Sequence, residues 1–226
     1  MNVRLKSAVT LLAAACAMAV ASGASAQSAG QWTAKVGVGK ITPKVESGDV
    51  SAPALPGSKV AVGSDTEPVF IFAYGITDNI SAELDLGVPY KHKLYGAGAL
   101  EGTGQLGTVE ALPPAAFIQY RFFEPAAMVR PFVGLGLSYA YFQKAKGSGG
   151  LTALLNTGGP ASTFKIDGKF AVALQAGVAF NFNERWFADL TVVKSKLKVE
   201  NKYSTGQTQQ VRLDPLGVII AVGYKF

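Results

Sequence analysis

The sequence predicts an all-β chain: eight antiparallel strands in up-and-down order, closed into a transmembrane β-barrel. Three observations lead to that expectation. Segments of about ten residues alternate apolar side chains with small or polar ones at period two. Short and long connections between those segments alternate strictly along the chain. A secretory leader precedes them, and beyond it no apolar run approaches the ~20 residues that a spanning helix needs.

The leader occupies residues 1–26. Arg4 and Lys6 form its positive start, Ala8 to Val20 its apolar stretch, and Ala24-Ser25-Ala26 a small-residue cleavage site before Gln27. Cleavage after Ala26, with Ala24 as the other small anchor, leaves residues 27–226 as the barrel. Ala13-Ala14-Ala15-Cys16 loosely resembles a lipid-attachment site but lacks a leucine at position 13. The longest later apolar run, Leu216 to Gly223, is about eight residues, too short for a helix across lipid.

The eight segments follow in order. The first, near 32–42, sets Trp32, Ala34, Val36 and Val38 against Thr33, Lys35, Gly37 and Gly39. The second, near 66–76, is apolar on both faces from Val69 to Ile76. In the third, 80–88, Ile80, Leu84 and Leu86 alternate with Ser81, Glu83 and Asp85. Ala116, Ile118 and Tyr120 alternate with Phe117, Gln119 and Arg121 in the fourth, 115–123. The fifth, 129–142, opposes Val133, Leu135 and Leu137 to Gly134, Gly136 and Ser138. The sixth, 165–182, is the clearest, with Phe170, Val172, Leu174, Val178 and Phe180 on one face and Ala173, Gln175 and Gly177 on the other. The seventh, 186–199, changes parity near Lys194, which a bulge would explain. The eighth, 211–226, alternates Leu216, Val218, Ile220, Val222, Tyr224 and Phe226 with Gly217, Ile219, Ala221, Gly223 and Lys225.

Thr77-Asp78-Asn79, Glu124 to Met128 and Asn183-Glu184-Arg185 make tight turns, whereas 43–65, 89–114, 143–164 and, more briefly, 200–210 are long connections. Short periplasmic turns and long external loops are the habit of outer-membrane barrels. A final strand ending in Tyr224 and Phe226 fits the signal read by the bacterial barrel-assembly machinery. The chain is therefore expected in the bacterial outer membrane. Its partners there would be lipid, and lipopolysaccharide meeting the lysines near strand ends and in loops.

Composition narrows the function classes. The net charge of +6 is spread over loops and strand ends rather than clustered with aromatics, so a nucleic-acid partner is not expected. The only cysteine, Cys16, lies in the leader, which removes disulfides and thiolate metal sites from the barrel. The single histidine, His92, falls between Lys91 and Lys93 in a predicted loop, the setting of a solvated side chain, with no nucleophile and carboxylate nearby. Gly37 and Gly39 form a G-x-G on a strand with no following helix. No enzyme, cofactor or metal is expected.

An eight-stranded barrel is too narrow for an open aqueous pore. Inward parity places Phe117, Phe132 and Ile219 in the lumen, with Val193 as a further candidate, beside the charges Glu83, Asp85, Arg121 and Lys169. The apolar set would either line a dry path for a hydrophobe or simply plug the lumen. Pro89, Pro113, Pro114 and Pro215 at strand ends would either stop a strand or open a gap between strands.

The ordered motifs of this chain resemble the OmpW family, which includes the alkane-uptake protein of alkane-degrading bacteria. They are Trp32-Thr33-Ala34-Lys35-Val36-Gly37, Gly87-Val88-Pro89-Tyr90-Lys91-His92, Leu112-Pro113-Pro114, Arg130-Pro131-Phe132-Val133-Gly134, Gln175-Ala176-Gly177-Val178 and Val211-Arg212-Leu213-Asp214-Pro215. The resemblance implies passive uptake of small hydrophobic molecules through a narrow apolar lumen, with sideways exit into the bilayer. Loop insertions such as Ala52 to Gly57 and Leu151 to Thr163 leave the substrate open. A structural or adhesive barrel whose loops bind partners is the alternative.

Overall fold

Lipid offers no hydrogen bonds, so strands can cross it only in a ring without edges. The computed structural model, which describes residues 28–226, contains that ring. The leader and its cleavage residues Ala24 and Ala26 lie outside the described residues. The first strands are β1 (Trp32–Thr42), β2 (Glu46–Ser47), β3 (Ser58–Val62), β4 (Asp65–Gly75) and β5 (Ile80–Gly87). Next come β6 (Tyr90–Gly98), β7 (Gln105–Leu112), β8 (Ala115–Arg121) and β9 (Val129–Gly147). A short helix, α1 (Gly149–Leu155), leads to β10 (Phe164–Ile166), β11 (Lys169–Asn181) and β12 (Trp186–Lys196). The chain ends with β13 (Lys198–Tyr203), β14 (Thr208–Arg212) and β15 (Leu216–Lys225).

The wall is β1, β4, β5, β8, β9, β11, β12 and β15 in that order, every pair antiparallel, closed by β15 on β1. The eight expected strands occur at the expected places. Three of them are broken, however: 165–182 into β10 and β11, 186–199 into β12 and β13 at Leu197, and 211–226 into β14 and β15 at Leu213-Asp214-Pro215.

Parity decides what each side chain meets. Outward residues form an apolar belt in which Leu135 and Ile220 remain 59 % and 58 % exposed, a surface that only lipid would cover. Trp32 with Tyr74, Tyr120 with Phe122, and Trp186 with Tyr224 pack tilted or edge-to-face at one end of the belt, at centroid distances of 4.9, 5.1 and 5.0 Å. Tyr224 and Phe226 belong to this girdle, their rings 5.1 Å apart. The Phe226 amide donates to the Trp32 carbonyl at 2.9 Å, tying the last residue to the first strand. Inside, space is tight: a Cβ on Gly136 would come within 2.5 Å of the Phe117 ring, so that glycine is what admits the phenylalanine.

The long connections depart most from expectation. They are not open loops but two further sheets standing above the ring, one of β3, β6, β7 and the upper part of β9, the other of β10, β13, β14 and β2. Leu94, Leu106, Val109, Phe164, Val199 and Val211 form a core between them.

β12 does not change parity at Lys194, and its register with β11 and β15 runs through without a bulge. Odd-numbered residues face inward from Phe187 through Ser195, and Leu197, Val199 and Asn201 continue the same buried parity. What changes is the surroundings. Below Lys194 the outside is lipid and the inside polar; above it the outside is water, met by Lys196 and Lys198, and the inside is the apolar core of the outer sheets. From Trp186 to Lys194 the strand runs about 26 Å at ~3.3 Å per residue. A tilt of ~40° reduces this to about 20 Å along the membrane normal, close to the apolar band of such barrels.

Candidate functional site

The lumen is closed at mid-height by ionised side chains. Lys35 on β1 places Nζ 2.7 Å from Glu83 Oε2 on β5 and 2.9 Å from Asp189 Oδ2 on β12. β5 and β12 stand four places apart either way round the ring, so this triad crosses the whole lumen. The remaining lone pairs are taken up nearby. Gln119 Nε2 donates to Glu83 Oε1 at 2.7 Å, and Thr191 Oγ1 donates to Asp189 Oδ1 at 2.6 Å. Arg121 extends the layer, its Nη2 donating to Gln119 Oε1 at 2.7 Å and its Nε to Ser81 Oγ at 3.1 Å. All three members of the triad are almost wholly shielded from solvent.

Above the plug the lumen turns apolar. A cavity of about 110 Å³ is lined by Phe117, Val193 and Ile219, with Val69, Tyr90 and Asp85. A second, of about 70 Å³, lies among the outer sheets against Leu94, Val109, Val199, Val211 and His92. Ile41, Pro113, Ala140, Leu197 and Pro215 line both, so the two are stacked and share a wall. Each is of the order of an engineered ~150 Å³ apolar cavity that accepts a benzene-sized guest.

Three of the four residues singled out from sequence thus meet in one cavity: Phe117, Val193 and Ile219. Phe132 does not line it. Its ring is buried in the plug layer, with Arg121 Cζ 5.0 Å and Lys35 Nζ 6.0 Å from its centroid, so it packs as an aromatic cushion for cations. Parity told which side of the wall it faces but not its height. Lys169 is exposed at the upper end of β11 rather than enclosed in the lumen.

His92 is also not the solvated loop residue expected. It lies on β6 with 5 % exposure, its Nδ1 2.8 Å from the Gly63 carbonyl and its ring stacked on Tyr90 at 6.4 Å and 15°. Lys91 and Lys93 point the other way, into water. The alternation Tyr90, His92, Leu94 was present in the sequence and could have revealed a buried face. Burial lowers the His92 pKa, with the Gly63 hydrogen bond opposing the shift. Burial also pushes the Tyr90 phenol up to about 12.

The wall beside the lower cavity is interrupted. The β5–β8 ladder ends at Asp85 opposite Ala115, and pairing resumes only at Tyr90 opposite Ala111 in β6 and β7. Pro113 and Pro114, which carry no N–H, fill one side of this break. Leu86, an outward residue of β5, is nevertheless part of the cavity lining. The corresponding break at Pro215 is stitched: Ser195 N donates to the Pro215 carbonyl at 3.2 Å and Leu213 N to the Leu197 carbonyl at 2.8 Å. Among the described residues no group of histidine, aspartate and glutamate has the arrangement of a metal site.

Comparison with known proteins agrees with this architecture. Residues 28–226 match the OmpW family. Outer membrane protein W of Vibrio cholerae serotype O1 is 30 % identical over 203 residues, which cover 87 % of this chain and 89 % of that protein. Outer membrane protein AlkL of Ectopseudomonas oleovorans is 27 % identical over 203 residues, covering 87 % and 83 %. The crystal structure of the outer membrane protein OprG from Pseudomonas aeruginosa superposes with a TM-score of 0.79 at 24 % identity, over 88 % of this chain and 97 % of that one.

Proposed function

The chain belongs to the OmpW family of outer-membrane barrels, and on that premise we propose that it admits small hydrophobic molecules passively and releases them sideways into the bilayer. The observation that carries this reading is the stack of two largely apolar cavities ending on a buried, ion-paired plug. A solute that reaches Phe117 and Ile219 has the ion-paired layer below it and mostly apolar side chains around it, with the Asp85 carboxyl also in the lining. Crossing the plug would bring a hydrocarbon among buried charges, whereas moving sideways past Leu86 and Pro113 brings it to lipid. Transfer from the cavity to the membrane core is close to neutral for an apolar surface, so the step needs no energy source. In the same reading, Lys194, Lys196 and Lys198 meet anionic head groups of the outer leaflet.

The test is initial uptake of labelled n-octane by cells with and without the gene. Faster uptake with the gene is expected; equal rates would reject the reading in favour of a structural or adhesive barrel.

A further inference from the structure

The upper cavity is not uniformly apolar. His92 and Asn201 bring the polar side-chain groups to its lining. Asn201 is already engaged, its Nδ2 donating to Gln209 Oε1 at 3.3 Å within a buried network that includes Tyr203. His92 is engaged on one nitrogen only.

A carbonyl oxygen can accept but never donate, so the 2.8 Å contact with the Gly63 carbonyl fixes the ring proton on Nδ1. Nε2 then keeps its lone pair. Among the described residues no donor reaches Nε2. With Nδ1 held by Gly63 and one ring face against Tyr90, the opposite face and the Nε2 edge are what the ring has left to line the cavity. Burial keeps the ring neutral and therefore an acceptor. An unpaired acceptor among aliphatic side chains disfavours an empty or hydrocarbon-filled cavity and favours a guest that brings a donor.

The geometry points to His92 Nε2 as the acceptor by which the upper cavity recognises hydrophobic molecules carrying one hydroxyl group, alkanols and phenols, in preference to bare hydrocarbons. The inference deepens the uptake reading and rests on it for its role in transport. The binding site itself can be tested separately. Beyond the hydroxyl, the guest meets Leu94, Val109 and Val199, which give a tail no polar partner. Tyr90 continues the route downward, since it stacks on His92 yet lines the lower cavity.

The chain has one histidine, so histidine labelled with nitrogen-15 reports on this ring alone. The full protein folded in lipid should show the Nε2 resonance moving upfield on addition of 1-octanol and staying in place on addition of n-octane. No movement with 1-octanol, or equal movement with both, overturns the assignment. A second arm compares uptake in cells. His92→Phe keeps a flat ring against Tyr90 but removes the acceptor, and should slow 1-octanol uptake about tenfold relative to n-octane. His92→Gln should restore part of that ratio. Equal slowing of both compounds by His92→Phe, with the folded band intact on unheated gels, means a merely structural ring and overturns the assignment. If wild-type cells gain no uptake of either compound while 1-octanol still moves the resonance, the transport reading fails and the binding site stands.

Discussion

Lys35 Nζ lies 2.9 Å from Asp189 Oδ2, and both side chains are completely withdrawn from solvent. Together with Glu83 the pair joins opposite walls of the ring through its centre. The arrangement closes the lumen and also commits three charges to a site where none could stand alone.

Removing the cation should therefore cost more than losing a surface ion pair. Lys35→Met leaves Asp189 without its cation and Glu83 with Arg121 alone, 3.9 Å away, and should destabilise the barrel by about 3–5 kcal/mol, as removal of one partner of a buried pair does. The urea midpoint of the folded band in detergent micelles measures this. Adding Asp189→Asn to Lys35→Met should recover much of the loss, because Glu83 then stays as the counter-charge of Arg121, 3.9 Å away.

The lower cavity can be filled from its wall. Ala115 lies beside Phe117 on β8 and lines the same space. Ala115→Leu should reduce n-octane uptake severalfold while leaving the folded fraction nearly unchanged. Unaltered uptake in a folded variant would place the route elsewhere.

The break in the wall can be locked. Extending the register that ends at Asp85 and Ala115 would set Leu86 opposite Pro114. Cysteines at these two positions, joined by a bifunctional thiol reagent, should stop uptake, and reduction of the linkage should restore it. The chain's own cysteine, Cys16, falls in the expected leader and offers no competing thiol after cleavage.

Acid should loosen the outer sheets through His92. The folded-state pKa is lowered from the ordinary 6.5 by burial, so the unfolded chain binds the proton more readily. The stability held by the neutral ring is complete above about 6.5 and is lost progressively as pH falls through the folded value. Amide exchange in β6 should accelerate with acidification over that window more in the wild type than in His92→Gln. Asp65, whose Oδ2 accepts from the Lys91 amide, lies close enough for its charge to oppose the shift at His92.

The wall was legible in the sequence because lipid imposes one rule on every outward side chain, and Phe170 to Phe180 obey it without exception. Parity likewise brought Phe117, Val193 and Ile219 to the inside. It could not set Phe132 at the level of the plug, since height in a tilted ring depends on register between strands rather than on the alternation within one. The outer sheets escaped notice for a different reason. Their outward residues are charged and their inward ones apolar, the reverse of the wall, so Lys91-His92-Lys93 looked like a solvated loop when it is the outer edge of a cavity.

That reversal has a consequence for how deeply the protein sits. β12 passes from oil to water with its ladder to β11 unbroken through Lys196, while its ladder to β15 stops at the crossing, at Lys194 opposite Leu216. On the β11 side the depth of immersion is written in side chains alone. Changing Lys194 to leucine would raise the greasy collar by one row on that staff, a few ångströms, at the loss of the hydrogen bond from Lys194 Nζ to the Asp214 carbonyl. Relatives living in thicker or thinner envelopes could adjust their draught in this way, one substitution at a time.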